Sequence, residues 1–460
     1  MFRIGKEEEQ AVARTLQSRQ FFKINDAGRE VYNFESEWCQ TVGSQYALLM
    51  TSGYAALESA LVALGIGPGD EVIVPAYTYI ATALAVVGAG AIPVIADIDE
   101  TMTLSPESVE KNISEHTKAI IPVHIMGLPS DMDSIMQIAK KHGISVVEDA
   151  CQSDGGMYHG RYLGSIGDAG AFSFNIFKVI TSGEGGALVT DSRQIYERAL
   201  IYHDASAVAF FGDQLNEVTE PLFGGAEYRV SDITGAIMRE QLRRLPGILA
   251  DLRRNCRTVI ENVKTVKPIP YNDFDGACCV AAAFRFESEE KCRAFAEKMK
   301  EKGYYIPIPI DAGRHVYTDW SQIMQRRGAF HPAMDPFKMK ENRGLNMNYT
   351  PDMCRKSLDI LARTAYLDIN PDWTEEELTA AEDELIAGYA DETEAGEDAE
   401  LWANVWDTIF MGLSEENIMG WVTSMQTGDT TGYVEALTSE ETLENLLEGI
   451  FSAFIGSPAE

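Results

Sequence analysis

The chain has no Lys or Arg after Arg363 and no CxxC pair among its seven cysteines. No apolar run in it approaches the ~20 residues of a membrane span. Each absence excludes something. Without a long apolar run there is no transmembrane helix to expect. The start, MFRIGKEEEQAVAR, has no apolar core behind its first basic residues, so a secretory leader is not expected and a cytoplasmic protein is. Scattered cysteines offer neither a zinc-ligand spacing nor a disulfide framework, and no metal site is expected. Cys278 and Cys279 are adjacent in the apolar stretch ACCVAAAF and read as small hydrophobes in a strand. The 97 residues after Arg363 hold 24 Asp or Glu, so most of the formal charge of −33 is gathered there; the preceding part has 47 acids and 38 bases, a net of −9. That balance excludes the basic surface of a nucleic-acid binder.

What is present is a globular composition. Forty-five per cent of the 460 residues are hydrophobic, enough for a sizeable core and for two or three domains. Residues 1–45 read as a helical lead-in anchored by Phe34, Trp38 and Tyr46. Strand and helix patterns then alternate to about residue 245. Strands are expected at YALLM (46–50), EVIVP (71–75), IPVIADI (92–98), KAIIPVHI (118–125), ISVVED (144–149) and AGAFSF (169–174), with helices over 52–65, 81–90 and 131–143. Continuous apolar strands separated by helices predict an α/β domain with a mostly parallel sheet covered on both faces. A long helical stretch over 232–263 is expected to break at Pro246. From about 265 to 390 the pattern becomes α+β, with strands near CVAAAFRF and YYIPIPI. The expected division is a large domain over 1–250, a smaller α+β domain over 251–390 and an acidic helical extension over 391–460. In the extension Leu401, Val405, Phe410 and Leu413 share a helical spacing, as do Leu443, Leu446, Ile450 and Phe454.

Ligands in such sheets bind outside the carboxyl ends of the strands, and chemistry-bearing residues stand at the ends of four of these segments. Thr51-Ser52-Gly53 leads into a helix, whose free N–H groups and positive dipole end suit a phosphate; a serine there equally serves as an N-cap. Tyr77 and Tyr79 could stack on a flat ring or belong to the core. Glu148-Asp149 closes the apolar run VVED, where a carboxylate must meet a positive partner or water. A protonated pyridine nitrogen and a capping role are both open. Lys178 follows FSFNIF and precedes the glycine turn TSGEGG. Desolvation lowers a lysine pKa and frees the amine for imine formation.

These segments, in this order and spacing, resemble the DegT/StrS family of pyridoxal-phosphate (PLP) sugar aminotransferases, over roughly residues 20–390. The resemblance rests on SGYAALESALVALGIGPGDEVIVPAYTYIATA, GAIPVIADID, VVEDACQS, GDAGAFSFNIFKVITSGEGGALVTD and GGAEYRVSDITGAI. It implies the fold type I architecture with a seven-stranded sheet and PLP as cofactor. Lys178 would then carry PLP as a Schiff base and move protons. Asp149 would pair with the pyridine nitrogen. Tyr79 would stack on the ring and Gln152 would lie on its other side. Ser173 and the amides around Gly53, Tyr54 and Ala55 would hold the phosphate. The segment containing Glu227 and Arg229 would reach a neighbouring subunit, which implies a homodimer. Two positions depart from the family: Tyr54 stands where Thr is usual and Glu227 where Asn is usual. A carboxylate beside a phosphate repels it, so Glu227 is expected to turn away or to pair with Arg229.

The activity implied is transfer of an amino group from glutamate or glutamine to a keto-sugar, nucleotide-linked, by a ping-pong mechanism. A cyclitol ketone or an eight-carbon acid sugar are further acceptors. Family dehydratases typically carry histidine in place of the lysine, and a silent PLP-binding scaffold is the reading from outside enzymology. His315 and Tyr317 are candidate substrate-facing residues; for His315 a structural role is equally open.

Overall fold

Apolar runs such as EVIVP and IPVIA can lose their contact with water on both sides only inside a covered sheet. In the computed structural model, which describes residues 3–23, 29–205, 218–301 and 304–389, they do so. The strands are β1 (Tyr46–Met50), β2 (Glu71–Pro75), β3 (Ile92–Ala96), β4 (Thr117–Ile120), β5 (Ser145–Asp149), β6 (Ala169–Ser173) and β7 (Gly186–Thr190). They form one sheet in the order β1-β7-β6-β5-β4-β2-β3. Pairing is parallel from β6 through to β3, while β7 runs antiparallel to both neighbours. The expected mostly parallel sheet is therefore present, with one reversed strand. That strand, within GGALVT, was hidden in the sequence behind the glycine turn.

Helices α1 (Lys6–Ser18) and α2 (Glu30–Val42) form the lead-in. Phe34 and Trp38 on α2 are fully buried. Trp38 meets Phe172 edge-on with centroids 5.0 Å apart and Phe174 at 5.7 Å. Side chains alternate across a strand, so these contacts with Phe172 and Phe174 leave Ser173 on the opposite face. Helix α3 (Gly53–Ala63) is buried almost all round, as a helix without a polar face must be. Helices α4 (Ala81–Gly88), α5 (Pro106–Asn112) and α6 (Met132–His142) follow strands β2, β3 and β4.

Two expectations fail locally. Helix α8 (Asp232–Asn262) runs through Pro246 without a break. Its stripe of buried Leu242, Leu245, Ile248, Leu249 and Leu252 continues on both sides of the proline. Burial at ~1.5–3 kcal/mol per large side chain outweighs the ~3 kcal/mol cost of an interior proline. The stretch YYIPIPI forms no strand; it leads into a short 3-10 turn at Pro309–Asp311. Pro307 and Pro309 have no N–H to give to a ladder. A three-stranded antiparallel sheet does form, from β8 (Lys267–Pro268), β9 (Ala281–Arg285) and β10 (Thr364–Asp368). Cys278 and Cys279 are buried as expected, but they precede β9 and Cys279 has a left-handed backbone (φ 61).

The chain divides into two units. One comprises Met1–Glu261, Lys267–Cys292 and Pro307–Trp373, and so contains both sheets; the other comprises Asn262–Val266, Arg293–Ile306 and Thr374–Glu460. The division expected near residue 250 falls inside α8. In the second unit Asn262 Nδ2 donates to Glu382 Oε2 at 2.7 Å. The acidic extension 391–460 lies outside the described residues.

Helix α7 (Arg193–His203) ends on a buried imidazole. His203 Nδ1 lies 2.7 Å from the Leu200 carbonyl, to which it donates, and Nε2 is buried without a partner among the described residues. Burial pushes the pKa down to about 3. The unfolded state therefore takes up a proton below about pH 6.5 that the folded state refuses until about pH 3. Wild type should lose stability relative to His203→Leu as pH falls through that window, by up to about 5 kcal/mol. Urea unfolding from pH 7 to pH 3.5 measures this; parallel curves for the two proteins would contradict it.

Candidate active site

A cavity of about 880 Å³ opens beyond the carboxyl ends of β1, β2, β5 and β6. Its walls include Ser52, Gly53, Tyr54, Tyr79, Asp149, Gln152, Ser173, Lys178 and His315. Nine residues from five separate sequence segments thus meet where an open α/β sheet binds ligands.

Lys178 sits at the tip of a hairpin that prolongs β6 and β7. Phe174 N donates to Gly185 O at 2.8 Å and Ile176 N to Gly183 O at 2.9 Å. Thr181 Oγ1 donates back to Phe174 O at 2.9 Å. Gly183 takes a left-handed backbone (φ 84), which glycine allows without strain. The hairpin holds Lys178 half-buried in the cavity wall. Among the described residues its amine makes no hydrogen bond or ion pair.

Asp149 reaches the same cavity from the end of β5 and is 5% exposed. Thr82, in the first turn of α4, donates to its Oδ2 at 2.7 Å, and Cys151 N donates to its Oδ1 at 3.1 Å. These two donors fix the carboxylate's orientation. Its neighbour Glu148 points to the other face of the sheet, as strand alternation requires. There it is fully buried and accepts from Gly164 N at 2.8 Å, from Gly167 N at 2.6 Å and from Ile166 N. His124 Nε2 is 3.0 Å away. Ser130 N donates to His124 Nδ1 at 3.1 Å, so Nε2 carries the hydrogen that Glu148 accepts. The two carboxylates of VVED therefore divide into a structural and a cavity-facing group.

The cavity's third side is the start of α3. Ser52 Oγ caps the helix by accepting from Ala55 N at 3.1 Å. The Ala55 amide is thereby engaged, and Ala55 is not among the residues lining the cavity. Ser52, Gly53 and Tyr54 are, with the helix dipole behind them. The fit against the sheet leaves no room for a side chain. A Cβ on Gly53 would lie 2.5 Å from Cys151 Sγ and 3.0 Å from Ser173 Cβ, and one on Gly186 would collide with the Ser52 backbone. Tyr54 turns its hydroxyl to Glu58, 3.4 Å away, and Tyr228 donates to the same carboxylate.

The remaining candidates separate. Tyr79 is 42% exposed, with its ring centroid 5.4 Å from that of His315. His315 lines the cavity, and burial lowers its pKa. Gln152 lines it too, its Oε1 accepting from Met126 N at 2.8 Å. Tyr317 does not. It is fully buried, donates to Pro351 O at 2.6 Å and accepts from Cys354 N at 3.3 Å, which makes it a core residue. Glu227 Oε2 pairs with Arg229 at 2.7 Å, and Arg229 also pairs with buried Asp204. Neither Glu227 nor Arg229 lines the cavity. Thr82 and Cys151 were missed. Both lie inside the stretches PAYTYIATA and VVEDACQS, but neither residue type announces a role there; only the fold brings Thr82 to Asp149.

No cluster able to hold a metal and no helix long and apolar enough to cross a membrane occurs among the described residues.

The chain as a whole is similar to known proteins. The model of the DegT/DnrJ/EryC1/StrS aminotransferase family matches residues 3–317. The chain is 42% identical over 250 residues to the spore coat polysaccharide biosynthesis protein SpsC of Bacillus subtilis (strain 168), an alignment spanning 53% of this chain and 62% of that protein. Two solved structures, an aminotransferase from Psychrobacter cryohalolentis and a 3-amino-5-hydroxybenzoic acid synthase, are each 26% identical with a TM-score of 0.68. Each alignment covers 84% of this chain, and 96% and 97% of theirs respectively.

Because Glu148 is the acceptor for three backbone amides and His124, Glu148→Ala should lower the unfolding free energy by about 3–5 kcal/mol. Denaturant unfolding at neutral pH measures it. A loss under about 1 kcal/mol would mean that water replaces those bonds.

Proposed function

The chain belongs to the DegT/DnrJ/EryC1/StrS aminotransferase family, and on that premise we propose that it is a PLP-dependent aminotransferase acting on a keto-sugar. Glutamate or glutamine is the amino donor in this reading, and the two substrates react in alternate half-reactions. The observation that carries it is the meeting of Asp149, at the end of β5, and Lys178, on the hairpin beyond the neighbouring β6, in one cavity that the first turn of α3 also lines.

The residues present fit the cofactor. Lys178 has an amine with no partner among the described residues, Asp149 is an oriented buried carboxylate, and the first turn of α3 at Ser52, Gly53 and Tyr54 lines the same cavity. When bound, PLP supplies a ring that takes up the electrons of the substrate C–H bond. Lys178 would hold it, and its Nζ is the group placed to take and return a proton in the cavity. Asp149 would pair with the ring nitrogen and Thr82 keeps that carboxylate from rotating. Ser52, Gly53, Tyr54 and Ser173 would receive the phosphate, with the α3 dipole favouring its charge. Tyr79 would cover one face of the ring. A nucleotide-linked acceptor and a homodimer belong to the same reading. The internal pairing of Glu227 with Arg229 supports a dimer edge that presents no free carboxylate to a neighbouring phosphate.

The test is a half-reaction. Glutamate or glutamine added to the holoenzyme should bleach its visible absorbance, and a keto-sugar should restore it. Lys178→Ala should abolish both steps. Asp149→Asn should lower kcat by about 100-fold or more, and Thr82→Val by about tenfold through lost orientation. Full turnover by Lys178→Ala would refute the assignment.

A further inference from the structure

Beside the main cavity lies a smaller lobe of about 220 Å³ that shares Lys178, Gln152 and His315 with it. One wall comes from the three-stranded sheet. Ala281 on β9 stands opposite Asp368 on β10. Tyr366 and Asp368, two residues apart, share a face of β10, and all three line the lobe. Ala281 has no atom beyond Cβ, so the facing strand leaves the carboxylate uncovered. Asp368 keeps more than a third of its surface open. Among the described residues it makes no hydrogen bond or ion pair, and burial is the only influence on its pKa, which it raises.

The other lining groups limit what the lobe can take. Ile125, Leu252 and Val280 are apolar, and Tyr77 and Tyr366 are aromatic. Gln152 has its Oε1 engaged by Met126 N, which leaves its amide N–H groups to donate. His315 is neutral because burial lowers its pKa. Lys178 is the one cation among the described lining residues. An anionic group here would face the Asp368 carboxylate, and like charges repel. An ammonium group would satisfy Asp368 but would face Lys178 and leave the Gln152 donors unmatched. A neutral group with hydroxyls satisfies both, since each hydroxyl donates and accepts. The volume is below the ~300 Å³ at which drug-sized sites begin, which suits one ring and not a nucleotide.

We propose that this lobe receives the ring of the amino acceptor, that the acceptor ring is an uncharged polyhydroxy ketone, and that Asp368 accepts a hydrogen bond from one of its hydroxyls. Asp368 is then a specificity residue, favouring hydroxylated acceptors over deoxygenated or carboxylated ones. A site built to bond a hydroxyl rejects the analogue that lacks it far more strongly than an apolar pocket rejects a change in size. This rests on the aminotransferase reading.

Binding separates the two ideas, because it needs no turnover. Calorimetry would use the wild-type holoenzyme and Asp368→Asn, without amino donor. The ligands are an inosose (a pentahydroxycyclohexanone), its set of monodeoxy analogues, and a carboxylated cyclic ketone of the same ring size. The inosose should bind Asp368→Asn about tenfold or more weakly than wild type. One monodeoxy analogue should bind the two proteins equally, as a double-mutant cycle requires when the lost partners are a pair. The carboxylated ketone should bind wild type more weakly than the inosose does. The proposal falls if the inosose does not bind, if Asp368→Asn binds it as wild type does, or if every ligand weakens by the same factor. Bleaching of the wild-type visible band by glutamate or glutamine, run on the same preparation, reports on the aminotransferase reading alone. Bleaching without hydroxyl-dependent binding would remove the lobe assignment and leave that reading intact.

Discussion

The site depends on one close approach. The turn Ser52-Gly53 lies so near the ends of β6 and β7 that neither Gly53 nor Gly186 could carry a Cβ without displacing backbone or Cys151. That contact brings the positive end of α3 against the sheet, into the cavity that Ser173 and Lys178 also line. Close packing of this kind transmits any change in volume directly to its neighbours. The aromatic group of Phe34, Trp38, Phe172 and Phe174 supports it from the opposite face. Because Phe172 and Phe174 are anchored there, Ser173 has one direction left, toward the cavity.

Strand alternation does similar work at β5. Glu148 and Asp149 are chemically near-identical neighbours, yet the pleat sends them to different faces. Glu148 meets backbone amides and His124 and holds the loop 164–167 in place. Asp149 meets Thr82 and the cavity. Structural and chemical duties are thus divided by geometry alone.

Much of this was legible in the residues. Strand-sized apolar runs separated by helices required a covered, mostly parallel sheet, and its carboxyl edge was the place to look. Lys178 and Asp149 could be named because each breaks an apolar context at such an edge. Where local reading failed, a tertiary term outweighed it. Pro246 stayed within a helix because the buried leucine stripe on both sides of it outweighed its cost. YYIPIPI resembled a strand by hydropathy but lacked the N–H groups to pair as one. Tyr317 and His315, two residues apart in RHVYTDW, went to the core and the cavity respectively. Ala55 lost its amide to the cap supplied by Ser52.

By itself the sequence determined the class of fold and the family and singled out Lys178 and Asp149 as candidates, because these follow from patterns within short segments. Tertiary structure alone decided which partners those residues have. Thr82 is 67 positions from Asp149, and Asp368 is 190 positions from Lys178, yet each shares a bond or a cavity with it. Such pairings depend on strand order and register, which bring distant segments to one edge. No local pattern of residue types encodes that distance, so only the folded chain could show that a threonine orients the carboxylate and that a second carboxylate lines a lobe with the lysine.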